Sequence, residues 1–313
     1  MKIITFSLIL AINIARSKAT VFPVGVSNCG VQSWIDSAPK RAVTLNQGTT
    51  EVMLALGLVG SMVGTAYLDD EIWPEVAEDY AKVPVLSDSY PDIETIMATN
   101  PDFLYGSYSN AFQARTPGND KRIDYFQVVN YSCNLTISTP EKNNTYCRAE
   151  LNDAGMQTYL QTPYCEIHDH RPDEVTISHL YEEIWDIALM FDAFTQAQVL
   201  VSNIEDHFQQ AAAISLQHST DSNKITVLWL DGWDDVTPFV GACCGSVNTI
   251  LDYSGAQNIF ADTGIEEKKS WDSVDRREVV EKDPDVMVIV DASWDAAGKF
   301  IEYERVLDFY FQS

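Results

Sequence analysis

Two stretches of the chain are versions of each other. Val52-Met53-Leu54-Ala55-Leu56-Gly57-Leu58, followed by Ile93-Glu94-Thr95-Ile96-Met97-Ala98-Thr99-Asn100-Pro101-Asp102, recurs as Ile250-Leu251-Asp252-Tyr253-Ser254-Gly255-Ala256 followed by Val279-Val280-Glu281-Lys282-Asp283-Pro284-Asp285. A duplicated helix-and-strand unit predicts two similar α/β lobes, and lobes that face each other enclose a cleft. With 313 residues the chain is long enough for each lobe to bury its own core. The first expectation is therefore a ligand binder.

The N-terminus reads as a secretory signal. Lys2 precedes the apolar run Ile3 to Ile14, and Ser17-Lys18-Ala19 supplies small residues at the −3 and −1 positions of a cut after Ala19. The run is short for a membrane span. A second sign of export lies in the sequons Asn130-Tyr131-Ser132, Asn134-Leu135-Thr136 and Asn143-Asn144-Thr145, which mark Asn130, Asn134 and Asn143 for glycosylation. Six cysteines in an oxidising compartment allow fifteen connectivities. Cys133 and Cys147 are expected to pair, because they close a short loop in the sequon segment. Adjacent Cys243 and Cys244 are not expected to pair with each other, which leaves one of them for Cys165.

The formal charge is −26, and loss of Lys2, Arg16 and Lys18 with the signal takes it to about −29. Such a field repels DNA, RNA and anionic lipid, so no nucleic-acid partner is expected and a monomer is.

Helix alternates with strand over much of the chain. Arg41 to Leu45 reads as a strand, Asn46 to Thr49 as a loop opening a helix through Leu56, and Ser61 to Ala66 as the next strand. Asp92 to Thr99 has helical spacing, stops before Pro101 and feeds a strand from Asp102 to Tyr105. Residues 113–153 lack periodicity and read as an insertion in a first lobe of residues 38–176. Residues 177–218 carry apolar residues at helical spacing with a break near Asp192, predicting linking helices. Lys224 to Leu230, Thr249 to Tyr253 and Val286 to Val290 then read as strand, helix and buried strand of a second lobe over residues 222–313. The fold class is α/β.

In such folds a ligand lies beyond the strand ends. The loops there carry Asn46, Thr49, Tyr67, Trp73, Tyr108, Phe112, Trp233 and Trp294, amphipathic aromatics and a helix start suited to a large organic ligand with carbonyl or anionic groups. Trp233 and Tyr108 lead this set, while about half of the aromatics are expected to cap the cores instead. His168 and His170, beside Glu166 and Asp169, have the ligand types for zinc or ferric iron, but one His-x-His in a linker is a weak signal. Gly241-Ala242-Cys243-Cys244-Gly245 has the form of a nucleophile elbow with Cys in place of Ser. A disulfide there would remove that chemistry.

Thr49-Thr50-Glu51-Val52-Met53-Leu54-Ala55-Leu56-Gly57, then Val63-Gly64, Pro84-Val85-Leu86, Ile93-Glu94-Thr95-Ile96 and Pro101-Asp102, resembles the substrate-binding proteins of iron-siderophore and vitamin B12 ABC transporters. Ser254-Gly255-Ala256-Gln257-Asn258-Ile259-Phe260 and Pro284-Asp285-Val286-Met287-Val288 extend the resemblance over most of residues 40–292. It implies two α/β lobes joined by one long backbone helix, with reversible capture of a ferric chelate, haem or cobalamin in the cleft and no permanent cofactor. It also implies a membrane uptake system as partner and a place outside the cell or on its surface. Three departures stand out: the sequon-bearing insertion, the 23 residues after Val290 where the family adds more strand and a helix, and Arg277 where its pattern carries a Glu matching Glu94. Two other readings are a secreted hydrolase using Cys243 and a glycosylated interaction module without a small ligand.

Overall fold

The computed structural model describes residues 19–114, 135–138, 143–218, 224–233 and 237–290. The signal segment before Ala19 lies outside them. The first lobe is built on five parallel strands, in the spatial order Gln157–Leu160, Phe103–Gly106, Ala42–Leu45, Met62–Ala66 and Val85–Ser87. Central strands of a parallel sheet are covered on both faces. Ala42–Leu45 and Phe103–Gly106 are accordingly buried throughout. Alternate residues divide between two cores: Ala42, Phe103 and Tyr105 pack with Met53, Leu54 and Ile187, while Val43, Leu45 and Leu104 pack with Ile96 and Phe112. The hydroxyls of Thr44, Thr50 and Thr65 satisfy one another between sheet and helix, at 2.9 and 2.7 Å.

The internal repeat has a structural meaning. Helices Gln47–Ala55 and Ser246–Ser254 both run into a glycine with positive φ, Gly57 at 69° and Gly255 at 73°. Helices Ile93–Ala98 and Arg276–Lys282 are both capped by an aspartate, Asp92 accepting from the Thr95 amide and Asp275 from the Arg277 amide. The aspartate of each Pro-Asp pair then fastens the start of its lobe's first strand. Asp102 accepts from the amides of Lys40 and Arg41 at 2.9 Å, and Asp285 accepts from the amide of Thr226 at 2.8 Å.

Helices Ile177–Phe191 and Phe194–His218 link the lobes, and the break between them falls at Asp192, whose φ is 56°. Buried carboxyls seat the first helix on the sheet. Glu183 accepts from the Tyr105 hydroxyl and from Gln161 at 2.8 Å, while Asp186 accepts from Tyr159 at 2.9 Å. Burial pushes the Glu183 carboxyl above its usual range despite these donors. A carboxyl that holds its proton to higher pH when folded favours folding below its unfolded pKa, and the contribution is lost as pH rises through the folded value. Glu183→Gln, which resembles the protonated acid, should therefore raise the thermal midpoint at pH 8 and leave it unchanged at pH 4. An equal change at both values would contradict this account.

The second lobe is less similar to the first than the repeat predicts. Its long strand Ile225–Trp233 pairs in parallel with Ala256–Asn258 and Val286–Ile289, but antiparallel with Pro238–Gly241, which in turn pairs antiparallel with Trp271–Ser273. The physical reason is length. A parallel return needs about a dozen residues or more, and only residues 234–237 separate the two strands.

An N-terminal hairpin, Val24–Asn28 with Val31–Ile35, flanks the first sheet. It is stapled to the linker by Cys29–Cys165, so Cys165 does not reach Cys243 or Cys244. Those two cysteines bond to each other, contrary to the expectation from their adjacency. The general preference against such a bond yields here to the turn that joins Gly241 to Gly245. Cys147 is disulfide-bonded, and Cys133, its expected partner, lies outside the described residues.

Parts of the insertion are among the described residues. Gln113–Ala114, Asn143–Tyr146 and Leu135–Ser138 form a small antiparallel sheet, with Asn143 at the start of a strand, whereas Asn130 and Asn134 lie outside the described residues. Helix Arg148–Asp153 instead packs into the lobe. The Arg148 guanidinium is fully buried between Asn28, Thr158 and Glu166, 5.4 Å from the centre of the Phe112 ring. No helix among the described residues is long and apolar enough to cross a membrane.

Candidate ligand cleft

The register of the first sheet builds one edge. Leu160 is aligned with Gly106, Gly106 with Leu45, Leu45 with Ala66 and Ala66 with Ser87, so all five strands end on one line. Strand order reverses between Ala42–Leu45 and Phe103–Gly106. Such a reversal opens a crevice at the carboxyl ends, where ligands of open α/β sheets bind. Gly48 and Ser107 face each other across it. A Cβ on Gly48 would lie 3.9 Å from both the Ser107 hydroxyl and the Gln161 amide nitrogen, in ordinary van der Waals contact.

Each strand delivers a polar or phenolic residue to this edge: Asn46, Tyr67, Tyr90, Tyr108 and Tyr164, all within a few residues of their strand ends. Tyr90 donates to the side-chain Oδ1 of Asn46 at 2.7 Å, and Tyr67 meets the Tyr90 ring edge-on at 4.7 Å. The backbone of Tyr67 is left-handed, φ 58°. Tyr108 and Tyr164 lie with ring centres 4.3 Å apart. Tyr108 keeps 38% of its surface exposed. Burial raises the pKa of Tyr90, Tyr108 and Tyr164 above the ordinary phenol value, and neighbouring carboxylates add to it, Asp69 at the first two and Asp231 at the third. At neutral pH these side chains are uncharged phenols, able to donate hydrogen bonds and to stack.

The second lobe meets the first at Tyr164. Tyr108, Trp271 and Ser270 converge on its hydroxyl, and the Trp271 ring in turn stacks on Phe239 at 6.3 Å. The facing wall thus joins the end of Ile225–Trp233, which carries the buried Asp231, to the strand Trp271–Ser273. The loop 67–73 closes one side. Gln47 accepts from the amides of Asp69 and Asp70 at 3.1 and 2.8 Å, and Glu51 accepts from the Trp73 amide at 2.9 Å. Asp69 is half-buried there, and burial followed by the neighbouring Asp70 raises its pKa.

The expected contacts are distributed unevenly. Tyr67, Tyr108 and Asn46 come together at the edge, and Trp73, 39% exposed, stands at its rim. Thr49 is fully buried with its hydroxyl on the Asn46 carbonyl at 2.9 Å, which is the work of a helix start. Phe112 is fully buried beneath Gly106 and beside Arg148, in the core rather than the cleft. Trp233 ends its strand, and its side chain, like the whole of Trp294, lies outside the described residues. Among the described residues no three potential metal ligands gather around His168 and His170. The His170 ring instead packs on Gly30, where a Cβ would lie 2.3 Å from it, and His168 is exposed beside Asp169.

Tyr90, Tyr164, Ser270 and Trp271 are missing from the sequence-based set. Tyr90 and Tyr164 obey the same strand-end rule that selected the others, but Gln157–Leu160 follows the insertion and carries no periodic signal. Trp271 and Ser270 belong to the antiparallel part of the second lobe, in a segment for which the sequence predicts no element.

The sequence profile of a family described as periplasmic binding protein matches residues 142–302. No curated protein sequence matches the chain. A solved periplasmic binding protein from Veillonella parvula is 22% identical with a TM-score of 0.65, the match covering 91% of this chain and 82% of that one. An ABC-type Fe3+-hydroxamate transport system structure from Saccharomonospora viridis is 20% identical, TM-score 0.61, covering 86% and 80%. The periplasmic heme-binding protein HutB of Vibrio cholerae is 18% identical, TM-score 0.54, covering 86% and 82%. These three share the fold of this chain.

Proposed function

The chain belongs to the periplasmic binding protein family, and from that premise we propose that it captures an iron-siderophore, tetrapyrrole, corrinoid or similar metal chelate between its lobes for delivery to a membrane uptake system. The family is one of binding proteins rather than enzymes. Cys243, the one candidate nucleophile, is a half-cystine and has no thiolate to attack with.

The observation that carries the proposal is the line of neutral phenols at the strand ends, Tyr67, Tyr90, Tyr108 and Tyr164, the last of them meeting Trp271 of the second lobe. Aromatic faces with polar tips suit a broad, partly apolar ligand whose rim carries oxygen acceptors. That description fits ferric hydroxamates and tetrapyrroles alike, which is the chemistry named for the S. viridis and V. cholerae structures. Export is part of the reading: the signal segment, the sequons and the disulfides all fit an oxidising compartment outside the cell.

The test is native mass spectrometry of the deglycosylated protein with a mixture of a ferric trihydroxamate, ferric citrate, haem and cobalamin. One chelate retained per chain is the expected result. A folded protein that emerges empty from every chelate would refute the proposal.

A further inference from the structure

The motif Gly241-Ala242-Cys243-Cys244-Gly245 is not used by the binding reading, yet it occupies a mechanical crossroads. The Cys243 amide donates to the Thr263 carbonyl at 3.0 Å and the Cys244 amide to the Lys269 carbonyl at 3.2 Å. The Cys244 carbonyl accepts from the amide of Val175, just before the linking helix Ile177–Phe191, at 3.0 Å, and the Cys243 carbonyl accepts from Asn248 at the start of helix Ser246–Ser254. Ala242 donates to the Ser270 carbonyl at 2.9 Å, and a Cβ on Gly245 would lie 2.9 Å from the Ser270 side chain. One cross-linked dipeptide therefore fastens the segment entering that linking helix, a helix start and the segment that carries Ser270 and Trp271 to Tyr164.

A disulfide between adjacent residues closes a small ring through the peptide that joins them. Closure removes most of the torsional freedom of both residues, and opening restores it. We infer that Cys243–Cys244 is a reducible site for a small dithiol, and that its redox state sets how firmly the Ser270–Trp271 wall holds a ligand against Tyr164. The inference rests on the proposed binding function for its ligand, but its mechanical part does not.

The chemistry balances. A thiolate of the dithiol attacks one half-cystine sulfur, the Cys243–Cys244 bond breaks and a mixed disulfide forms. The second thiol of the reductant then displaces the protein sulfur, so the dithiol leaves as a cyclic disulfide and two electrons and two protons remain on the protein as thiols. The reduced state has a place ready, because the Cys243 sulfur lies 3.6 Å from the Lys269 carbonyl, within reach of a weak S–H donor. The cysteines are only 7% and 4% exposed, which restricts attack to a small reagent.

Two states coupled to one ligand must obey reciprocity. If the closed ring strengthens chelate binding about tenfold, a typical coupling, then the bound chelate must make the ring about tenfold harder to reduce. The test compares the parent with Cys243→Ser/Cys244→Ser, which opens the ring and leaves Cys29–Cys165 intact. Hydrogen exchange in the variant should quicken at residues 173–176 and 263–271, and affinity for a ferric trihydroxamate or haem should fall about tenfold. If the variant does not fold, the parent is titrated with dithiothreitol, with the reduced pair identified by alkylation and mass mapping and the same peptides followed by exchange. Unchanged exchange in those peptides after the ring opens would overturn the inference, as would equal affinity in both redox states. A parent that binds no chelate would refute the binding function alone, since the exchange result stands or falls without a ligand.

Discussion

Arg148→Met should destabilise the protein by about 3–5 kcal/mol, the cost of leaving one member of a buried ion pair without its partner. Arg148 and Glu166 have side chains 1% exposed, their closest N–O distance is 3.4 Å, and Oε1 of Glu166 already lacks a hydrogen bond. Without the guanidinium, Glu166 must ionise in a dry interior or be protonated, and Asn28 loses a donor at 2.6 Å. For a chain of this size the thermal midpoint should fall on the order of 10 °C. Arg148→Met/Glu166→Leu should recover most of that loss, because replacing a whole buried pair by apolar groups is often neutral. A single variant within 1 kcal/mol of the parent would show that the pair does not fasten hairpin, helix and sheet edge together.

The second large effect concerns the ligand. Tyr108 is the exposed phenol of the edge, Tyr67 is part-buried beside Tyr90, and neither supplies a core contact as Phe112 does. Tyr is enriched among the minority of contact residues whose truncation costs more than about 1 kcal/mol, and about 1.4 kcal/mol is tenfold in affinity. Tyr67→Ala/Tyr108→Ala should therefore weaken chelate binding about a hundredfold, with a thermal midpoint close to that of the parent. Titration followed by quenching of tryptophan emission reads this directly, because Trp271 lies against Tyr164 at the cleft. Parent-like affinity in the double variant would move the site away from the strand ends.

The repeat made much of this architecture legible before any coordinates. Pro101-Asp102 and Pro284-Asp285 mark equivalent anchors because a carboxylate is needed where each lobe's first strand begins. Gly57 and Gly255 mark equivalent helix ends because the backbone there turns left-handed. Such local demands leave a trace in sequence. Pairings between distant segments do not. Nothing near Cys165 names Cys29 as its partner, and the antiparallel turn of the second lobe follows from a short connection rather than from any residue type. The candidate site divides the same way: Tyr67 and Tyr108 follow strands with clear patterns, whereas Tyr164 follows a strand that emerges from the insertion and Trp271 reaches the cleft only through tertiary packing. Phe112 has the same local signal as Tyr108, and only the close approach of Gly106 and the buried Arg148 draw it inward.

The most direct test of the central claim, that a metal chelate sits across the first sheet's strand ends and against the second lobe, is hydrogen exchange with and without a bound chelate. Protection should appear together in peptides covering Asn46 to Thr49, Tyr67 to Trp73, Tyr108, Tyr164 and Ser270 to Trp271, with helix Phe194–His218 unchanged. Protection confined to one lobe, or centred on that helix, would contradict it.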